Sequence, residues 1–308
     1  MYNIFRITFP GRVHFGDGTL DSGSNFFRAD TLFSALCIEA LKTGKLEELV
    51  KMVDTADLLF SNAFPYSGLQ YYLPKPLCQI ERSESLNWSD SVEKKKYKAL
   101  HYIRIDMLDD YLKGNMNFAK NGDGKFGTFD LETKVTVRTE RDALPYHVGT
   151  YSFKDDCGLY IIVKGKDDTV MNTFRALLTA VSFSGLGGKR SSGMGRFSYS
   201  IEAVPDELVK RLENLNGQQM LLCSALPKDN ELDTAMANSS YTLCKRSGFV
   251  FSDTFSKELL KKQDLYVFDA GSCFNSRFDG DIVDVSGTQG SHPVLRYAKG
   301  FFMNLEAV

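Results

Sequence analysis

Gly185-Leu-Gly-Gly-Lys-Arg-Ser-Ser-Gly-Met-Gly-Arg-Phe197 is the stretch that decides how this chain is read. It holds five glycines, two serines, three cations and no acid. An apolar helical pattern precedes it (Val170, Phe174, Leu177, Leu178, Val181), and a strand pattern, Phe197–Ala203, follows. Glycine lets a backbone turn through positive φ and approach a ligand closely. Backbone N–H groups and the hydroxyls of Ser191 and Ser192 can then meet phosphate oxygens, while Lys189, Arg190 and Arg196 supply charge. A flexible connector with solvated cations is the plainer alternative, but it has no need of glycines and cations packed so densely. A P-loop is excluded, because Lys189 is followed by Arg190 and Phe183 stands where its first glycine belongs. The dinucleotide fingerprint fails as well: Arg190 occupies its third glycine, and the loop follows a helix.

Working outward, 308 residues suffice for two ordinary domains, and 43% hydrophobic content can fill their cores. A net charge of −2 argues against nucleic-acid binding over the whole surface but leaves room for a local basic site. Cys37, Cys78, Cys157, Cys223, Cys244 and Cys273 show no Cys-x-x-Cys spacing, so no zinc or redox motif is expected and free thiols in a reducing compartment are. No cofactor or metal is implied. The start, Met1–Phe9, reads as a strand without signal-peptide character, and no apolar stretch approaches a membrane span. A soluble, cytoplasmic protein is the expectation.

The pattern predicts a strand at Tyr2–Phe9, a turn-rich segment Gly11–Asn25, and a helix capped by Asp30 and stopped by Gly44. A strand Asp57–Phe64 ends at Pro65, and Tyr71–Pro76 is extended. Residues 81–130 look like an insertion, with short helices at Ser91–Leu100 and Asp106–Leu112 and a mobile Gly114–Gly127. Asn121-x-Asp123-x-Lys125 lacks the carboxylates of a calcium loop. Strands return at Lys134–Thr139, Tyr151–Phe153 and Leu159–Lys164. The second half repeats this grammar more weakly, with a bridging helix Pro205–Asn216, a strand Met220–Ala225, helical patterns at Glu231–Ala237 and Phe255–Lys262, and strands at Leu265–Phe268 and Ile282–Val285. The fold class expected is α+β: two tandem ferredoxin-like (RRM-like) domains, 1–204 and 205–308, with a glycine-rich loop and an inserted β-hairpin.

Three stretches carry a family resemblance. Arg28-Ala-Asp-Thr-Leu-Phe-Ser-Ala-Leu-Cys37 resembles the first-helix entry of the RAMP superfamily of CRISPR-associated proteins. Gly188–Phe197 resembles the glycine-rich loop, and His292-Pro-Val-Leu-Arg-Tyr-Ala-Lys299 the C-terminal signature, of one branch of it: the fourth subunit of the type III-A (Csm) effector complex. The resemblance runs from Tyr2 to Met303, with 81–130 unassigned. It implies a non-catalytic RNA-binding subunit that grips the repeat-derived 5′ handle of the guide RNA (crRNA) and docks on a Cas10-type large subunit and a backbone RAMP subunit. It also implies that Lys134–Phe153, with Val135, Val137, Arg138, Arg141, Leu144, Tyr146 and His147, is a thumb pressing between nucleotides.

Candidate RNA ligands follow. Lys189, Arg190 and Arg196 would hold phosphates, with Gly187, Gly188, Ser191 and Ser192 as donors. Phe197 either stacks on a base or begins a core strand. His14 is a polar loop residue or an RNA hydrogen-bond donor or, in a metal-independent processing endoribonuclease, an acid–base group acting on a 2′-hydroxyl. Arg28 and Ser34 flank the first helix, and Arg28 is an RNA ligand or a solvated charge. Arg138 and Arg141 run beside Glu132, Glu140 and Asp142 and are open to the same two roles. His292, before a proline, is an RNA ligand or satisfies a backbone carbonyl in its turn, while Arg296 and Tyr297 face RNA or a subunit interface. Asp17 and Asp21 belong to glycine turns. A protein-only scaffold, its basic loop meeting carboxylates, is the remaining alternative.

Overall fold

The computed structural model describes residues 1–78, 80, 91–138, 141–252, 254–287 and 290–306. Its largest sheet runs in the order Ser198–Ala203, Tyr2–Thr8, Cys157–Gly165, Phe64–Ser67, Gln70–Pro74, Tyr102–Arg104, with Leu58–Phe60 also paired to Cys157–Gly165. Every pairing is antiparallel. Two strand–helix–strand passes dictate this order. Tyr2–Thr8 passes through the helix Ala29–Lys42 to Leu58–Phe60, and Cys157–Gly165 through the helix Asp168–Ser184 to Ser198–Ala203. Each pass leaves a gap that a strand of the other fills. Cys157–Gly165 is accordingly buried on both faces, through Leu159, Tyr160, Ile161, Ile162 and Val163. Phe5 meets Phe174 of the long helix edge-on at 5.1 Å, fixing the helical layer to the sheet. Pro65 does not end its strand. It lies opposite Leu159 but beyond the last residue paired to Gln70–Pro74, where its missing N–H goes unused.

The helix Asp168–Ser184 starts where the side chain of Asp167 accepts from the N–H of Val170 at 3.0 Å, and it ends at Gly185 with φ 83°. The first helix corrects an expectation. Arg28, not Asp30, is its N-cap and gives no side-chain bond, while the Ala29 N–H is held by Asn62 Oδ1 at 2.9 Å. Asn62 lies between the strands Leu58–Phe60 and Phe64–Ser67 and is buried, so the cap arrives from elsewhere in the chain. A further helix, Leu46–Asp54, buries Leu49, Met52 and Val53. Gly44 does end the first helix, but the chain restarts at once.

Residues 91–127 carry packed structure of their own. The helices Ser91–Ala99 and Leu108–Leu112 enclose a small core of Tyr97, Ile103, Met107, Tyr111 and Met116. Asn121 is buried, donating to Tyr102 O and accepting from Arg104 N, both at 3.0 Å. The glycines of this stretch make turns between packed residues. The expectation for 81–90 lies outside the described residues.

Gly127–Arg138 and Arg141–Phe153 form one long antiparallel hairpin. Its base is fastened by reciprocal Val13–Tyr151 backbone hydrogen bonds at 2.9 Å and by Arg12, which pairs with Asp130 and Glu132.

In the second half, Gln219–Leu221 lies between Phe302–Asn304 and Cys273–Phe274; Leu243–Arg246 pairs Leu265–Phe268, and Gly280–Asp284 pairs Leu295–Lys299. Bonds from Leu222 N to Phe301 O (2.8 Å), Leu226 N to Ala298 O (3.0 Å) and Ala225 N to Phe268 O (3.0 Å) link these pieces. Short helices cover Asp206–Glu213 and Asp229–Met236. Phe255–Lys262 is not helical. Val250 N bonds Leu260 O and Lys262 N bonds Gly248 O, which hold it as an irregular return over Phe255, Val250, Val285 and Val294. One apolar core runs through both halves, from Ile4 to Leu305.

Candidate functional site

A groove of about 480 Å³ opens between the glycine loop, His14–Gly16, the start of the first helix and the second-half turn Arg246–Phe251. The loop is shaped by what it touches. Gly188 N donates to His14 O at 2.8 Å, and a Cβ on Gly188 would come 2.6 Å from the His14 ring. At Gly187, with φ 92°, a Cβ would lie 2.6 Å from the same carbonyl oxygen and 3.0 Å from Phe15. These two glycines are therefore required by the loop's own packing on His14 and Phe15, before any ligand arrives. Lys189 continues in a left-handed conformation, φ 55°, and its Nζ stands 4.6 Å over the Tyr146 ring of the hairpin. Arg190 lies 4.8 Å over Phe251.

The floor is electrically dense. Asp30 accepts from Arg246 Nε at 2.9 Å and Nη2 at 3.0 Å, with Arg296 Nη1 at 3.4 Å. Burial alone would raise the Asp30 carboxyl, but Arg246, Arg296 and Arg28 outweigh it and hold it below its ordinary value. Arg28 forms a bidentate pair with Asp269, at 3.2 and 2.8 Å. Lys262 also lines the groove; burial and then the facing Arg296 push its ammonium below the usual lysine range. Among the described residues, Lys189, Arg190, Arg196 and Lys262 make no ion pair. Arg246 and Arg296 therefore share Asp30, and among the described residues Lys262 has no carboxylate of its own.

His14, Arg28, Ser34, Gly187, Gly188, Arg190 and Arg296 thus meet around one groove. Lys189 turns to the hairpin at Tyr146, while Ser191, Ser192 and Arg196 stand exposed on the outside of the loop. His147 is exposed, its Nδ1 3.2 Å from Thr133 Oγ1. His292 is tied into its own turn: Nδ1 donates to Pro293 O at 2.9 Å, and Nε2 meets Ser252 Oγ at 2.9 Å. Tyr297 corrects the sequence expectation. It is 1% exposed and stacked on Phe60 at 4.6 Å, a core residue with no face for RNA. Phe197 is likewise core, packed beside Phe9. The side chains of Val137, Arg138 and Arg141 lie outside the described residues. Among the described residues no His, Cys, Asp or Glu cluster is arranged to hold a metal ion, and no helix is long and apolar enough to cross a membrane.

Sequence reasoning missed Arg246, Lys262, Phe249 and Phe251. For Arg246 a signal was present: Lys245-Arg246-Ser247-Gly248-Phe249 echoes Lys189-Arg190-Ser191 of the glycine loop, and Arg190 of one run lines the same groove as Arg246 and Ser247 of the other.

A model of the RAMP superfamily matches residues 6–198, and one described as the CRISPR Csm4 C-terminal domain matches residues 214–305. A Streptococcus thermophilus protein, "CRISPR system Cms protein Csm4", is 38% identical over 99% of each chain. A protein of the same description from Mycobacterium tuberculosis is 36% identical over 98% of this chain and 97% of its own. Among solved structures, a chain of the Csm3-Csm4 subcomplex of a type III-A CRISPR-Cas interference complex superposes with a TM-score of 0.65 at 15% identity, covering 98% of this chain and 99% of that one. A chain of the Csm1-Csm4 cassette in complex with cA4 gives 0.63 at 17% identity, covering 100% and 98%.

Proposed function

This chain belongs to the Csm4 family of the RAMP superfamily, the fourth-subunit family of type III CRISPR effector complexes, and from that premise we propose that it anchors the 5′ handle of the guide RNA without cutting it. The observation that carries the proposal is the groove itself. Its walls are a glycine loop and a helix start, its floor holds more cations than carboxylates, and Phe249 and Phe251 stand at its rim, exposed by 58% and 73%. Single-stranded RNA needs this combination: cations for phosphates, aromatic faces for unstacked bases, and close backbone approach.

The long hairpin is the thumb in this reading. Its exposed Phe129, Leu131 and Val135 lie on one face, and residues two apart along a strand share that face by geometry. Such a face can press between nucleotides. The protein partners proposed are a Cas10-type large subunit, Csm1, and a backbone RAMP subunit, Csm3, as in the two related assemblies. In this reading the chain is two tandem ferredoxin-like units meeting near residues 204–205, a reading that the topology supports. The first half shows both split passes. In the second, Gln219–Leu221 pairs with Cys273–Phe274 on one side and Phe302–Asn304 on the other, an arrangement that a degenerate repeat would leave.

The decisive experiment incubates the chain, with and without its large-subunit partner, with labelled guide RNA, reading retention and, on a denaturing gel, cutting. Intact RNA, handle-dependent binding and its loss in Lys189/Arg190/Arg196→Ala are expected. Cut RNA would favour a processing endoribonuclease, and partner binding indifferent to RNA and to those cations would leave a protein-only scaffold.

A further inference from the structure

The two ring nitrogens of His14 have different surroundings. Nδ1 lies 2.6 Å from the carbonyl oxygen of Gly149, at the root of the hairpin. A carbonyl oxygen only accepts, so Nδ1 carries a proton, and with that single proton on the ring Nε2 is an acceptor. The described residues give Nε2 no hydrogen-bond partner. It stands between Gly16 and Gly188, where a Cβ on either would come within 3.6 and 3.4 Å of it, and all three residues line the groove. A Cβ at Gly188 would collide with the ring at 2.6 Å, and a side chain at Gly16 would begin in contact with Nε2; two glycines leave this edge open.

An unprotonated imidazole nitrogen cannot bind a phosphate oxygen, since both only accept. What it selects from a strand lying in the groove is a donor. The ribose 2′-hydroxyl is the donor that accompanies the backbone at every nucleotide of RNA and is missing from DNA. Its position also fits. Gly188 is followed directly by Lys189 and Arg190, so a strand held there by its phosphates brings its sugars to the glycine-flanked ring. We propose that His14 Nε2 accepts the 2′-hydroxyl of one nucleotide in the groove and is the residue by which this site tells RNA from DNA. The inference rests on the RNA-anchoring function proposed above.

The test uses the full chain with its protein partners and a short single-stranded RNA bearing the repeat-derived 5′ end. The RNA carries one 2′-deoxy nucleotide at a time, and binding is read by fluorescence anisotropy. One position is expected to lose about five- to tenfold in affinity, the effect of one hydrogen bond. His14→Phe should weaken the all-RNA strand to the same level and abolish the penalty at that position. A base change at that nucleotide should matter little; a large base effect without a deoxy effect would assign Nε2 to a base amino group and overturn the proposal. Tight RNA binding with a flat deoxy series would overturn it while leaving the anchoring function standing. No handle binding by the unchanged protein would bring down both. Cleavage at the sensitive nucleotide would overturn it in favour of His14 as a general base. Since Phe leaves the Gly149 carbonyl unpaired, the deoxy series on the unchanged protein decides the matter if that variant does not fold.

Discussion

Arg246 Nε stands 2.9 Å from Asp30 Oδ2, joining the first turn of the first helix to a strand of the second half. Two residues earlier the polarity is reversed, with Arg28 bonded to Asp269. The start of one helix is thus bolted to the second half by a cation and an anion in exchange, and Asn62 reinforces it by accepting from both Ala29 N and Ser224 N. Asp30→Ala should destabilise the protein by about 3–5 kcal/mol, because it strands Arg246 and Arg296 without their carboxylate in a buried site. Urea denaturation measures this. A loss under 1 kcal/mol would mean that the guanidinium groups find water instead.

The same bolt sets an acid limit. Asp30 and Asp269 are both held below the ordinary carboxylate value of 3.8 by the arginines that face them, against the opposing effect of burial. A carboxylate whose native pKa is depressed contributes stability that is complete above its unfolded value and is lost as pH falls through the native one. Unfolding free energy should therefore hold level near neutrality and decline below about pH 4. Asp30→Asn combined with Asp269→Asn should flatten that limb. An acid limb unchanged in the double variant would place the responsible carboxylates elsewhere.

The glycine loop and the long helix before it were legible because each depends on local chemistry: the density of glycines and cations in one, the apolar periodicity from Val170 to Val181 in the other. What was not legible came from partners distant in sequence. Asp30 has the composition of an N-cap, yet its carboxylate is claimed by Arg246, and the cap comes from Asn62. Tyr297 has the composition of an RNA ligand, but Phe60 and the core claim it. The glycines at 187 and 188 suggested a ligand, whereas part of their reason is the His14 ring beneath them. Lys262 was unreadable, since its place in the groove depends on an irregular return that carries helical spacing in the sequence.

Lys189 separates strain from binding. It is a non-glycine residue at φ 55°, a conformation that costs about 1 kcal/mol for a residue bearing a Cβ. Lys189→Gly relieves that cost and loses the cation over Tyr146, whereas Lys189→Ala keeps the strain and loses the cation as well. The glycine variant should be more stable than the alanine variant by about 1 kcal/mol in thermal unfolding. Both should bind handle RNA equally weakly. Stronger RNA binding by the glycine variant would show that loop geometry, rather than the ammonium, limits the site.

Lys262 should show the opposite sign in stability and binding. It faces the groove beside Arg296 and Arg246, and its depressed pKa reports that burial and those neighbours disfavour its charge in the free protein. An uncompensated ammonium in that position is useful only to an incoming anion. Lys262→Met preserves the length of the side chain and removes the repulsion, so the free protein should melt at a higher temperature. The same change should weaken RNA binding. It should also lower the slope of log affinity against log salt by about 0.7, the contribution of one phosphate contact on a single strand. A raised melting temperature with unchanged affinity and salt slope would show that the RNA passes the floor of the groove without touching it. Lys189 and Arg190 would then carry the phosphates alone.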